Sequence, residues 1–192
     1  STDMLRVVLN DDRCSVLITG ETGSGKEAFF ECIKGKSHRN KDRIREINCA
    51  GLTNETLVES ELFGHVGGAF TGATGKRDGL VKKCENGILF LDEIGWLPKP
   101  VQAKLLRFME TGEYRPVGSD DVKRVTDVRI VAATNQKVED VLLHDFVFRF
   151  DHHIGLPSLR ERGVDVLWFL AQPGFLGEQN VYTGISLRTL IG

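Results

Sequence analysis

Ser15-Val16-Leu17-Ile18-Thr19 is a short apolar run rich in β-branched residues, and it leads directly into Gly20-Glu21-Thr22-Gly23-Ser24-Gly25-Lys26. The run has the pattern of a buried strand. After the lysine, Glu27 to Lys34 reads as a helix. Strand, glycine loop, lysine and helix constrain the fold strongly, because the chain must turn from a buried strand into a helix within seven residues. Backbone N–H groups of the loop and of the helix start can cradle phosphate oxygens, and Lys26 is suited to neutralise the β and γ charges of a nucleotide. A glycine-rich turn followed by an exposed lysine is the plainer alternative, and the flanking strand and helix count against it.

A second apolar run, Ile88-Leu89-Phe90-Leu91, ends in Asp92-Glu93. Four consecutive apolar residues mark a central strand covered on both faces. In a parallel sheet, ligands bind at the carboxyl ends of the strands. Asp92 there is suited to hold Mg²⁺, because a hard cation prefers oxygen ligands. Glu93 is suited to orient and deprotonate an attacking water. Val128 to Ala133 reads as another buried strand, ending in Thr134-Asn135, whose polar side chains could reach a terminal phosphate or that water. Ile44-Arg45-Glu46-Ile47 is a further strand, ending in Asn48. On the residues alone Asn48 is an ordinary turn residue.

Strands thus alternate with helices. Pro100 to Thr111 is an amphipathic helix, with Val101, Leu105, Phe108 and Met109 on one face and Gly112 as its stop. Gly118-Ser119-Asp120-Asp121, between Tyr114–Val117 and Val122–Val125, reads as a surface hairpin. The fold expected is α/β, a doubly wound parallel sheet around a P-loop. At 192 residues there is material for one well-filled core and too little for two ordinary domains.

A formal net charge of −2 with no basic block gives no indication of direct duplex binding. The cluster Lys34, Lys36, Arg39 and Lys41 reads as a solvated face, and His152-His153 as part of a strand. Cys14, Cys32, Cys49 and Cys84 lack metal or redox spacing and fit reduced thiols in a cytoplasmic protein. The sequence shows no signal peptide and no membrane span.

Glu61-Leu62-Phe63-Gly64-His65, followed by Gly68-Ala69-Phe70-Thr71-Gly72-Ala73, resembles the surface loop of the sigma-54-dependent transcription activators, or bacterial enhancer-binding proteins, a branch of the AAA+ ATPases. The hexapeptide matches the family's six letters in full, and the resemblance runs from about Ser15 to about Asp165. On the residues alone, the flanking glycines make hinges while the small neighbours leave the Phe70 ring unshielded, or the segment is a surface turn whose phenylalanine folds back onto the body.

The resemblance implies an ATPase that uses ATP and Mg²⁺, contacts the sigma-54 subunit of RNA polymerase through residues 68–73, and assembles into a ring of six or seven subunits. It implies sensor I roles for Thr134 and Asn135, and a switch role for Asn48 in holding the catalytic glutamate in an inactive pose. Glu27 stands where most P-loops have the hydroxyl that binds magnesium, and the family commonly has glutamate there. Arg149 becomes an arginine finger acting on a neighbouring subunit, with a surface salt bridge as its plainer reading. Many family members carry a second arginine at the position of Leu143.

Leu156-Pro157-Ser158-Leu159-Arg160-Glu161-Arg162 resembles a further family motif. Beyond it, residues 166–192 do not reproduce the family's lid motif, so a core over residues 1–165 with a truncated or divergent helical lid is expected. Arg188 could start a lid helix there without serving as a sensor. Neither a regulatory domain before the loop nor a helix-turn-helix after it is expected within the sequence, so DNA contact falls to other domains. Two further readings stay open: an AAA+ ATPase of another use, such as a clamp or helicase loader, and a non-catalytic interaction module that keeps the loop.

Overall fold

The computed structural model describes residues 7–52 and 54–158. The stretch from Leu159 through Arg162, the expected boundary at Asp165 and the expected lid over residues 166–192, Arg188 included, lie outside the described residues. The described residues through Leu156 form one compact unit, which holds the sheet and its helices.

Five parallel strands form the central sheet: β1 (Val16–Thr19), β2 (Ile44–Asn48), β3 (Ile88–Asp92), β4 (Arg129–Thr134) and β5 (His152–Gly155), in the spatial order β2-β3-β4-β1-β5. Three longer helices accompany it: α1 (Lys26–Lys36), α2 (Glu55–Phe63) and α3 (Lys99–Thr111). Alternation along each strand divides the core in two. Val16, Ile18, Ile88, Phe90, Val131 and Ala133 pack with Phe29, Phe30 and Ile33 of α1. Leu17, Leu89, Leu91, Ile130 and Ala132 pack with Val58 and Leu62 of α2 and with Val101, Leu105 and Phe108 of α3. Both faces of the central strands are therefore covered, which explains why residues 16–18, 88–91 and 130–133 read as unbroken apolar runs, unlike the edge strands β2 and β5. Phe30 stacks on Phe90 with ring centroids 4.0 Å apart.

In α3, Val101, Leu105 and Phe108 are buried while Met109 is only partly so. At roughly 1.5–3 kcal/mol for each fully buried side chain of this kind, these residues hold the helix to the sheet more firmly than helix propensity does. Gly112 ends α3 with φ 72°, and its N–H donates to Phe108 O. The hairpin after α3 is present, but its paired part is short: Glu113–Tyr114 with Lys123–Arg124.

The amino ends of the strands are fastened by two arginines whose role differs from the sequence expectation. Arg129, within an otherwise apolar strand, is fully buried and donates to Cys14 O (3.0 Å), Val8 O (2.8 Å) and Asp12 Oδ1 (3.3 Å). Arg39 is no part of a solvated face: its side chain is 8% exposed and donates to Asp12 O (2.6 Å), Asp127 O (2.7 Å) and Asp127 Oδ1 (2.6 Å). Lys36 and Lys41 of the same cluster are exposed as expected.

Burial alone would raise the Asp12 carboxyl, but hydrogen bonds from Ser37 and the His38 N–H, with the charges of Arg129 and Arg39, hold it below the usual carboxylate range. Its contribution to stability is thus present above the ordinary carboxylate pKa and fades as pH falls through the lowered value. Arg129→Ala leaves the Val8 and Cys14 carbonyls without this donor and removes a charge partner of Asp12. It is expected to cost on the order of 3 kcal/mol, read as a lower urea midpoint. A cost below about 0.5 kcal/mol, the range of ordinary surface substitutions, would mean that the network is dispensable.

Candidate functional site

Four neighbouring strands, β2, β3, β4 and β1, deliver polar groups side by side at their carboxyl ends. These are Asn48, Asp92-Glu93, Thr134-Asn135 and the Gly20–Lys26 loop. The register aligns Asn48 with Asp92 and Thr19 with Thr134.

The loop adopts the shape that its glycines permit. Gly23 and Gly25 have φ of 79° and 93°, a left-handed conformation unfavourable for other residues. A Cβ on Gly20 would come within 2.7 Å of Leu156 O, so no side chain fits there. Gly20 N–H donates to Thr134 O (3.2 Å), pinning the loop entrance to β4. Lys26 is 7% exposed and its Nζ donates to Gly20 O (3.0 Å) and Glu21 O (3.1 Å). The buried Ser24 hydroxyl has no hydrogen-bond partner among the described residues. The first α1 amides have no side-chain cap either. An orphaned hydroxyl, open helix amides and a buried lysine together make a fit for phosphate.

The carboxylates are individually held. Asn48 Nδ2 donates to Asp92 Oδ2 (3.3 Å), while its Oδ1 accepts from Ala50 N–H (2.9 Å). The structure thus pairs Asn48 with Asp92 and not with Glu93. Glu93 has φ 50° and ψ 46°, a strained conformation for a non-glycine residue. Its Oε2 accepts from Asn135 N–H (3.3 Å), and Asn135 Nδ2 in turn donates to Thr22 Oγ1 (3.0 Å). Thr134 is buried and its Oγ1 accepts from Gln136 N–H (3.1 Å), so it braces the turn and leaves Asn135 as the exposed member of the pair.

Cys49 lies close by, its thiol pushed up to about 12 by burial and by the charges of Asp92 and Glu93. It stays protonated and is no nucleophile. Glu27 is exposed. Among the described residues no cluster of His, Cys, Asp or Glu suffices to hold a metal ion, so a divalent ion at Asp92 would take its remaining ligands from phosphates and water.

Arg149 lies at the opposite end of the sheet. Ser15 Oγ, just before β1, donates to Arg149 O (3.2 Å), and the Arg149 guanidinium donates to Met109 O (3.3 Å). With Arg13, Ser15, Asp127 and Asp151 it lines a cleft of about 380 Å³. Among the described residues it forms no ion pair, so the salt-bridge reading has no partner there. It cannot serve the P-loop of its own chain. Leu143 packs at the edge of the core, and its N–H donates to Gln102 Oε1 (2.8 Å).

Residues 68–73 stand on a two-residue hairpin, Gly64–His65 with Arg77–Asp78. Gly68 and Gly72 have φ of 77° and 98°, and Gly68 N–H donates to Ala73 O (2.8 Å), closing the loop on itself. Phe70 is half-buried and not unshielded: its ring meets His65 edge-on at 5.1 Å. His65 is itself buried and shares a 2.7 Å hydrogen bond with Ser60 of α2. Arg77 donates to both carboxylate oxygens of Glu61 from its two terminal guanidinium nitrogens, at 2.5 and 3.0 Å. Val117 of the second hairpin accepts from Val66 N–H (3.1 Å) and donates to Gly64 O (2.8 Å).

Residues 2–158 match the family model described as the sigma-54 interaction domain. The chain belongs to this family. The sigma-54 interaction domain here is 47% identical over 167 residues to the nitric oxide reductase transcription regulator NorR2 of Cupriavidus necator, covering 83% of this chain and 32% of that protein. It is 48% identical over 159 residues to the anaerobic nitric oxide reductase transcription regulator NorR of Escherichia coli K12, covering 80% of this chain and 31% of that protein. The chain therefore spans about a third of the length of these relatives. Its fold is similar to crystal structures of NtrX from Brucella abortus. The complex with ATP gives a TM-score of 0.71 at 28% identity, covering 88% of this chain and 39% of NtrX. The complex with ADP gives 0.72 at 26%, covering 88% and 37%. The parallel sheet and this likeness make the domain an α/β P-loop core of the AAA+ type. No helix among the described residues is long and apolar enough to cross a membrane.

Within this sigma-54 interaction domain the structure brings together Gly20–Lys26, Asn48, Asp92, Glu93, Thr134 and Asn135, and holds Arg149 and residues 68–73 apart from them. Sequence reasoning missed the pairing of Thr22 with Asn135 and the seating of Phe70 on His65. No local signal announces either, since both join residues from separate elements. It also missed the burial of Arg129, for which a signal existed: a charged side chain within a doubly buried strand must find partners.

Proposed function

We propose that this domain binds ATP with Mg²⁺, hydrolyses it, and uses the cycle to press the Gly68–Ala73 loop against the sigma-54 subunit of RNA polymerase so that promoter opening can proceed. The observation that carries this reading is the convergence of the P-loop, Asp92-Glu93 and Asn135 on one sheet edge, in a chain whose hexapeptide stands on a separate hairpin. Lys26 exchanges its loop carbonyls for phosphate oxygens, and Ser24 and the first α1 amides supply further donors. The ion, when bound at Asp92, offsets phosphate charge. Glu93 accepts the proton of the attacking water, and the Asn135 amide fixes the terminal phosphate or that water.

Completing the charge balance falls to Arg149 of an adjacent copy in a ring of six or seven subunits. A guanidinium that forms no ion pair among the described residues, beside Phe148, which is 72% exposed, has the character of a surface covered by another subunit. In this reading the protein works in the cytoplasm, and DNA is contacted through domains outside this chain.

The test separates contact from chemistry. Phe70→Ala or Thr71→Ala is expected to weaken sigma-54 binding, measured in the presence of a transition-state analogue of ATP, by at least about tenfold. ATP turnover should stay within about twofold, since the loop contributes nothing to the phosphate site. Variants that bind sigma-54 as well as the parent would reduce the hexapeptide to a surface turn.

A further inference from the structure

Asn135 is tied on two sides. Its backbone N–H donates to the Glu93 carboxylate (3.3 Å), and its side-chain Nδ2 donates to Thr22 Oγ1 (3.0 Å). Thr22 lies in the P-loop, three residues beyond the Thr19–Thr134 register pair, so loop and strand end run side by side there. The Gly20 N–H bond to Thr134 O fixes the same neighbourhood from the backbone (3.2 Å). An amide nitrogen carries two N–H groups, and the Thr22 bond uses one of them. The other has no partner among the described residues and is free for a ligand oxygen. An exposed asparagine side chain without such an anchor would sample several rotamers and lose entropy on every ligand contact.

We infer that Thr22 is a positioning residue: its hydroxyl anchors the Asn135 amide between the P-loop and Glu93, so that the second N–H meets the terminal phosphate of a nucleoside triphosphate. This rests on the ATPase reading above and adds to it the group that makes the site tell a triphosphate from a diphosphate. Asn135 touches the ligand, whereas Thr22 acts through Asn135. A diphosphate has no oxygen at that position and is indifferent to the anchor.

The experiment measures affinity for ADP and for a slowly hydrolysed ATP analogue, both with Mg²⁺, by fluorescence titration. Thr22→Val keeps the shape and removes the hydroxyl. It is expected to reduce the preference for the triphosphate over the diphosphate about tenfold, the worth of one hydrogen bond to a charged group. Thr22→Ser restores the preference. Asn135→Ala shows the same loss, and Thr22→Val adds nothing to it.

Equal weakening of both nucleotides by Thr22→Val would mean that Thr22 merely shapes the loop, and overturns the inference. So does a full additional loss in the Asn135→Ala background, or a failure of serine to restore. A parent that binds neither nucleotide overturns the ATPase reading itself, and the anchor with it, which keeps the two failures distinct.

Discussion

Lys26→Ala is expected to lose nucleotide affinity by roughly 100-fold or more, because at least two charge-assisted hydrogen bonds to phosphate disappear together. Glu93→Ala should bind ATP as the parent does and lose turnover by about 10²–10⁴-fold, the usual contribution of a general base. The contrast follows from position. Lys26 is 7% exposed within the loop, donating to Gly20 O and Glu21 O, and in the proposed function it meets phosphate before any chemistry begins. Glu93 stands at the end of β3, held on the Asn135 N–H, where it can act on water without holding the ligand. Fluorescence titration alongside phosphate release separates the two. Equal losses of binding in both variants would refute this division of labour.

Arg149→Ala should retain ATP affinity and lose turnover by roughly three to five orders of magnitude, the range of arginine fingers in other nucleotide hydrolases. The proposed role in trans rests on position: Arg149 contacts Met109 and Ser15 at the amino end of the sheet, away from its own P-loop. Leu143, packed at the core edge, supplies no second guanidinium, so the isolated domain should be a weak ATPase whose specific activity rises with concentration. Mixing Arg149→Ala with Lys26→Ala is the decisive measurement. A Lys26→Ala subunit still offers Arg149 to a neighbour with an intact P-loop, so activity should partly return. No return at any ratio, in protein shown to co-assemble, would leave Arg149 as a surface side chain.

The sheet was legible because its central strands are covered on both faces. Ile88 to Leu91 and Ile130 to Ala133 need apolar side chains at every position, and a run of that kind stands out without any alignment. The site followed from the sheet, since parallel strands bring their carboxyl ends to one edge. What stayed hidden depends on contacts between distant elements. Glu93 carries no mark of its left-handed backbone, and nothing near Asn48 distinguishes Asp92 from Glu93 as its partner. The strands Gly64–His65 and Arg77–Asp78 are too short to show any periodicity. Phe70 has small residues on either side in the sequence, but its shield, His65, comes from the base of the hairpin.

The join between the two hairpins has a mechanical consequence. The Gly68–Ala73 loop has one covalent root, the strands at Gly64–His65 and Arg77–Asp78, and a second, non-covalent root at Val117, with Gly118 packed so closely on Ala69 that a Cβ there would lie 2.6 Å from the Ala69 Cβ. The first root passes into α2 and the second into the connection between α3 and β4. A load at the tip is therefore shared by two beams that enter the body at different places, and the loop behaves as a braced lever and not as a tether. Shortening the second hairpin would leave residues 68–73 chemically intact while removing one of the two braces.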